Sequence, residues 1–241
     1  MAQPKILLLQ ARRDDDPMAA HELACFIARC GLPATHVGPH DLCAGPPTLA
    51  RVREHDALMV GGSGDYYVSR GNLPHFDAFL DLLRTVVETG HPTFASCFGY
   101  QSLVEALGGE IIFDAANTEV GTYQLTLTPE GRADDLFGGL PDRFNAQLGR
   151  KDRAVALPEG VPNLASSQAS PHQALRIPQK PIWASQFHPE LDRTSNHERY
   201  RHYLDSYATH LSAEERATAL ERFKDSPEAS SLLRRFVELV F

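Results

Sequence analysis

The segment Thr93-Phe-Ala-Ser-Cys97-Phe-Gly99-Tyr-Gln101 sets a cysteine where an apolar run gives way to a helical pattern. A tight turn at such a junction lifts a thiol above the edge of a sheet. It also places the thiol at a helix N-terminus, where free amides and the helix dipole favour negative charge. Small residues flank the cysteine, Ala95 before it and Gly99 after it, as close packing of strand on helix requires. The amide of Phe98 would point at the reacting centre as one half of an oxyanion hole. A buried structural cysteine is the alternative reading of this segment by itself, since cysteine is among the most buried residue types.

A second segment, Trp183-Ala-Ser-Gln186-Phe187-His188-Pro189-Glu190, spaces an imidazole and a carboxylate two residues apart. In extended chain these project to the same side. The imidazole could take a thiol proton, and the carboxylate could fix its tautomer and favour the imidazolium. Among eleven histidines, His188 is distinguished by that partner, by the rigid proline between them and by a candidate nucleophile elsewhere. A third segment, Met59-Val-Gly61-Gly62-Ser63-Gly64, ends a strand in glycines, which let backbone approach a ligand and offer amides. No lysine followed by Ser or Thr comes after it, so a phosphate loop is disfavoured. Beside the other two segments it reads as the second half of an oxyanion hole.

These residues need a scaffold, and the first half of the chain supplies its rhythm. Lys5–Gln10 reads as a buried strand, and the apolar spacing over Met18–Cys30 as a helix closed by Gly31. Strands are expected at Thr35–Val37, Ala57–Val60 and Pro92–Ser96, with helices at Phe76–Val87 and Gly99–Leu107. This β-α-β-α-β order argues for a parallel sheet with helices on both faces. Short strands at Gly121–Thr128, Phe144–Leu148, Asn163–Ser167, Gln173–Ile177 and Ile182–Phe187 then suggest antiparallel additions. Three helices finish the chain: Ser195–Glu198 and Ser212–Glu215 read as capping boxes, and Pro227 follows Ser226 as a helix start. Leu232, Leu233, Phe236, Val237 and Val240 form one stripe on the last helix.

With 241 residues, 42% of them apolar, the chain can bury one sizeable core, and 22% charged residues exclude a disordered polymer. The apolar runs are far too short for a membrane span, and the N-terminus is charged too soon for a signal peptide. A cytoplasmic protein is expected. The formal charge of −8 offers no reason to bind nucleic acid or an anionic membrane. The four cysteines form no C-x-x-C pair, so no metal site is expected; Cys25, Cys30 and Cys43 read as packing residues.

In the order MVGGSG, PTFASCFGYQSLVEALGG and WASQFHPE, the chain resembles the class I glutamine amidotransferases of the stand-alone, GMP-synthase-like kind. TEVGTYQLTLTPEG and VALPEGVPNLASS support the likeness, which covers about residues 5 to 210. The resemblance implies a flavodoxin-like three-layer α/β/α fold, with a mostly parallel sheet and a C-terminal helical extension. Domain limits of 1–210 and 211–241 follow. It also implies a Cys-His-Glu triad: Cys97 as nucleophile toward the carboxamide of glutamine, His188 as base then acid, and Glu190 as its orienting partner. By the same resemblance Gly62 and Phe98 occupy oxyanion-hole positions, and Gln101 a substrate-contacting one. No cofactor is implied. The substrate would be glutamine or another γ-glutamyl compound. A separate synthetase chain accepting ammonia and a second copy of this chain are the candidate partners. No ATP-pyrophosphatase or Walker loop is present for the chain to use ammonia itself. A γ-glutamyl peptide hydrolase and a silent binding or regulatory relative are the alternatives. An elbow-cysteine fold whose histidine directly follows the cysteine fits less well, because His188 ends a late strand. The chain departs from the family pattern at Ala95, where glycine is usual, and at Tyr100, where histidine is common. It departs again at Arg150-Lys151-Asp152, where many relatives carry a histidine before an aspartate.

Overall fold

A computed structural model describes residues 3–204 and 220–241. Strands β1 (Ile6–Ala11), β2 (Val37–Asp41), β3 (Ala57–Ser63), β4 (Thr93–Ser96), β5 (Glu110–Phe113), β6 (Glu119–Leu127), β7 (Arg143–Arg150), β8 (Asp152–Ala156), β9 (Asn163–Ser166), β10 (Ala174–Arg176) and β11 (Ile182–Ser185) occur in that order. They are joined by helices α1 (Met18–Cys30), α2 (Leu49–Arg53), α3 (Phe76–Thr89), α4 (Phe98–Ala106), α5 (Pro129–Ala133) and α6 (Arg193–His202). Helices α7 (Pro227–Ser230) and α8 (Leu232–Val240) lie in the stretch 220–241.

One nine-stranded sheet runs β2-β1-β3-β4-β11-β10-β9-β6-β7, and β5 pairs with β8 in a separate ribbon. Neighbours from β2 to β11 are parallel, and those beyond β11 are antiparallel. Strands β1, β3, β4 and β11 are almost wholly buried, hence their unbroken apolar runs. Successive side chains nonetheless feed opposite cores, as a two-residue period demands. Ile6, Leu8, Met59, Phe94 and Trp183 meet Phe26 of α1 and Phe236 of α8 on one face. Leu7, Leu9, Leu58, Val60 and Ala95 meet Phe79 of α3 and Phe98 of α4 on the other. The result is three layers, with both helical layers recruited by the same strands. Among the described residues no helix is long and apolar enough to cross a membrane.

Two local expectations change. Residues 34–36 form a 3-10 turn and the strand begins at Val37; it lies at the sheet edge, where burial is patchy and the apolar signal correspondingly weak. The cap of α6 is Asp192, not Ser195: the Asp192 side chain accepts from the Ser195 amide while the Ser195 side chain accepts from the Asp192 amide. The box therefore starts three residues earlier than the serine suggested. The expected box at Ser212–Glu215 and the boundary near 211 lie outside the described residues. Ser226 precedes Pro227 at the start of α7, and Leu232, Leu233, Phe236 and Val237 of α8 are buried.

Candidate active site

Cys97 stands between β4 and α4 with φ 50° and ψ −102°, a conformation that L-residues rarely adopt. Backbone held there costs on the order of 1–3 kcal/mol and persists only where the surroundings over-determine it. The surroundings are visible: the Cys97 amide donates to the Ser185 carbonyl at 2.8 Å, tying the turn to β11. Its carbonyl accepts from the Gln101 amide at 3.0 Å as α4 begins. Gly99 explains why the helix can follow so tightly. A Cβ at that position would fall 2.7 Å from Val60 Cβ and 2.8 Å from the Val60 carbonyl oxygen of β3. Ala95 faces Ala184 and Val60 across the sheet, so the methyl that replaces the family's glycine lies among small and branched neighbours.

His188 follows β11, and its amide donates to the Gln147 carbonyl of β7 at 2.8 Å. Its Nδ1 lies 2.6 Å from Glu190 Oε1, and the Cys97 thiol is near enough to bear on the charge of the ring. The structure thus brings Cys97, His188 and Glu190 together. All three are buried, with Cys97 at 7% exposure still reaching a cleft. Burial alone would lower the imidazole's proton affinity, but Glu190 and Cys97 reverse this and push His188 up to about 9. Burial would likewise raise the Glu190 carboxyl, yet His188 and Arg199 pull it down to about 2. The arrangement is a thiol beside an imidazole held ready to carry positive charge, with a fixed carboxylate behind it.

The remaining expected residues take distinct places. Phe98 opens α4, so its amide is among those lacking an intrahelical partner. Its ring stacks on Phe79 with centroids 6.3 Å apart. Gly62 departs from expectation. Its amide does not stand open as an oxyanion donor but donates to Glu22 Oε1 at 3.0 Å: Gly62 lies within the register shift between β1 and β3, and α1 directs that carboxylate at the turn. A Cβ at Gly62 would fall 2.9 Å from His188 Cε1, so glycine here makes room for the imidazole. Gln101 borders the cleft, but its side-chain amide donates to Gln186 Oε1 and to the Asp152 carbonyl, both at 3.1 Å. Gln186 in turn directs its own amide at Cys97 Sγ, 3.8 Å away. That role went unassigned in the sequence, although Gln186 sits two residues before His188.

The cleft over Cys97 is bordered by Ser63, Tyr66, Tyr67, Arg150, Lys151 and Asp152. Arg150 is buried and ion-paired with buried Glu119, while Asp152 accepts from the Ser69 amide at 2.9 Å and hydroxyl at 2.8 Å. Tyr100, the other departure from the family pattern, is fully buried and donates to the His172 carbonyl at 3.2 Å. It lies in the same apolar core as Phe98 and Leu103.

A strained cysteine elbow at the carboxyl edge of a parallel sheet, faced by a histidine and a carboxylate from the loop after a neighbouring strand, defines a class of α/β protein with its candidate site at that edge. Residues 49–203 match the glutamine amidotransferase class-I family model, and the chain belongs to that family. It is 29% identical over 179 residues to a glutamine-hydrolyzing GMP synthase of Aspergillus oryzae, covering 73% of this chain and 31% of that protein. It is 36% identical over 103 residues to a glutamine-hydrolyzing GMP synthase subunit of Methanocaldococcus jannaschii, covering 43% of this chain and 53% of that one. The aligned segments thus span about a third to a half of these relatives' lengths. A solved glutamine amidotransferase from Thermotoga maritima shares the fold with a TM-score of 0.75 at 16% identity, covering 100% of this chain and 99% of that one.

Proposed function

We propose that this chain hydrolyses the side-chain amide of glutamine through a thioester on Cys97 and passes the ammonia to a separate synthetase chain. The observation that carries the reading is the strained Cys97 turn set against the His188–Glu190 pair. His188 takes the thiol proton, and Cys97 Sγ attacks the carboxamide carbon. The Phe98 amide, without a partner inside α4, donates to the oxygen as it gains negative charge. His188 then returns its proton to the departing nitrogen, releasing ammonia and leaving a γ-glutamyl thioester. Water, deprotonated by the same imidazole, cleaves the thioester to glutamate and restores the thiol. Glu190 holds the Nδ1 proton of His188 throughout, leaving Nε2 to exchange protons with the reacting groups. Gln186, whose amide points at Sγ, steadies the sulfur, and Gln101 steadies Gln186.

Delivery to a second chain draws support from the likeness to a protein named as one subunit of a GMP synthase. The test is ammonia and glutamate release from glutamine and from a panel of γ-glutamyl compounds, with Cys97→Ala as control. Release from glutamine that vanishes in Cys97→Ala is the expected result. Release from γ-glutamyl peptides alone would replace this reading with that of a peptide hydrolase. No release from any of them would leave a silent relative.

A further inference from the structure

The polar network around Cys97 continues past Glu190 into the layer formed by α1 and α6. Arg199 of α6 keeps only 8% of its side chain exposed. Its Nη1 donates to Glu190 Oε1 at 3.3 Å, the same oxygen that receives His188. That Nη1 also lies 3.3 Å from His188 Nδ1, but a nitrogen whose proton points at Glu190 has no lone pair left to accept it. The guanidinium therefore acts on the pair through the carboxylate. Behind it, Nη2 stands 3.8 Å from Oε1 of Glu22, a fully buried residue of α1. Glu22 is itself held on every side: Arg12 grips it through Nε at 3.1 Å and Nη2 at 2.9 Å. Gln10 donates to it at 3.0 Å, as does the Gly62 amide.

The charges alternate along this line: Arg12, Glu22, Arg199, Glu190, His188. Buried ion pairs are poor contributors to stability, because desolvation offsets most of the attraction, and apolar residues of similar volume often replace them at no cost. A line of buried charges that ends on the candidate triad is better explained by what it does there. Arg199 has Nε and Nη2 without hydrogen-bond partners among the described residues, so its hold on the site is one of charge and of the single bond to Glu190.

We propose that Arg199, braced by Glu22, is a positioning residue for the Cys97 reaction, which fixes the Glu190 carboxylate on His188 and balances its charge from the side away from the ring. The inference rests on the hydrolysis proposed above for its biological meaning. Its physical content is a coupling between Arg199 and the reactivity of Cys97.

The direction of that coupling follows from the groups that face Glu190 and Arg199. They are His188 from the same loop, Tyr203 at the end of α6, Glu22, Cys25 and His21 from α1, and Arg12 beyond β1; burial raises the Tyr203 phenol, which is uncharged near pH 7. Burial pushes the Cys25 thiol up to about 11, and burial together with Arg199 pushes His21 down, so both are neutral near pH 7 and neither replaces the guanidinium. Removing Arg199 strips a positive charge from this buried cluster and frees Glu190 to turn away from His188, so negative charge at the attacking sulfur is less favoured and Cys97 reacts only at higher pH.

The experiment measures alkylation of Cys97 by iodoacetamide across pH 4–9, read by mass spectrometry of the Cys97 peptide, in full-length wild type, Arg199→Met and Arg199→Lys. Glutamine turnover is followed alongside. In Arg199→Met the acid limb of alkylation is expected to move up by about one pH unit, making the reaction about tenfold slower on that limb. In Arg199→Lys, which keeps the charge, the limb stays within about 0.3 units of wild type, since one unit corresponds to a tenfold change. In turnover the Met variant loses kcat at little cost to KM, because Arg199 does not border the cleft. A folded Arg199→Met variant with an unmoved limb overturns the proposal, as does an Arg199→Lys limb displaced as far as that of the Met variant. Should Arg199→Met fail to fold, Arg199→Gln supplies a neutral side chain that still donates to Glu190, and the same limb decides. Because alkylation needs no substrate, a shifted limb in a protein that never turns over glutamine would reject the hydrolysis reading and leave the role of Arg199 standing.

Discussion

At the scale of single residues, the sulfur of Cys97 answers to more than its histidine. Gln186 aims a carboxamide at it, and Gln101 orients that carboxamide from α4. A hydrogen bond to a charged atom contributes about 1.5–3 kcal/mol, so Gln186→Leu should lower kcat by about tenfold or more. Initial-rate measurements of ammonia release check this, and an unchanged kcat would make Gln186 a packing residue. Glu190→Gln preserves shape but offers His188 Nδ1 an amide in place of a charge. Loss of the carboxylate in a related triad costs about 10⁴-fold in kcat, and a loss of at least about a hundredfold is expected here. Both side chains belong to the one Gln-Phe-His-Pro-Glu string, in which the pairing of Glu190 with His188 was legible but the aim of Gln186 at Cys97 was not. The partner of Gln186 was not, because Gln101 lies 85 positions earlier and only the fold brings it near.

Elements act by how closely they approach. The elbow holds its strained φ because β4 is pinned between β3 and β11 while α4 packs directly on β3. Gly99→Ala would drive a methyl into the Val60 backbone, which cannot move without opening the sheet. Overpacking of this kind costs about 1–3 kcal/mol. A lower urea midpoint together with slower Cys97 alkylation is the expected pair of results, and a change in neither would show that α4 shifts freely. Gly62→Ala acts differently, since its methyl would meet the far edge of the His188 ring. It should impair turnover while leaving the urea midpoint nearly unchanged. Some of this was readable beforehand, for a cysteine between small residues already implied a tight strand-to-helix approach. The start of β2 and the cap of α6 were not, because an edge strand and a one-turn box carry weak local signals.

For the whole molecule, the same charges that serve the site couple folding to pH. His188 is held above its unfolded value of about 6.5, so its stabilising term is complete below that pH and fades as pH rises toward about 9. Glu190 is held below its unfolded value, so its term is complete above about 4.5 and fades as pH falls toward about 2. The stability difference between wild type and Glu190→Gln should therefore be largest near pH 5–6 and shrink on either side. Urea denaturation at several pH values measures it, and a difference constant from pH 4 to 9 would contradict the coupling. The C-terminal helix also bears on the whole. Phe236 of α8 meets Phe94 and Trp183 edge-on, with centroids 5.8 Å and 6.0 Å away. Phe236→Ala should then cost about 3–5 kcal/mol, the loss of a core aromatic, whereas a helix merely resting on the surface would lose far less.

What the sequence determined by itself was the set of candidate residues and the framework that carries them. A thiol at a strand-to-helix junction, a His-Pro-Glu string after a late strand and a β-α-β rhythm are local patterns, and local patterns survive reading in one dimension. Tertiary structure alone decided the surroundings of that chemistry. Glu22 of α1 reached the Gly62 amide expected for the oxyanion, and Arg199 of α6 closed on Glu190, because two helices distant in sequence are packed against the carboxyl edge of one sheet. A charge at one position is only a charge until the fold removes the water around it and chooses its neighbour, and neither of those is written in the spacing of residues.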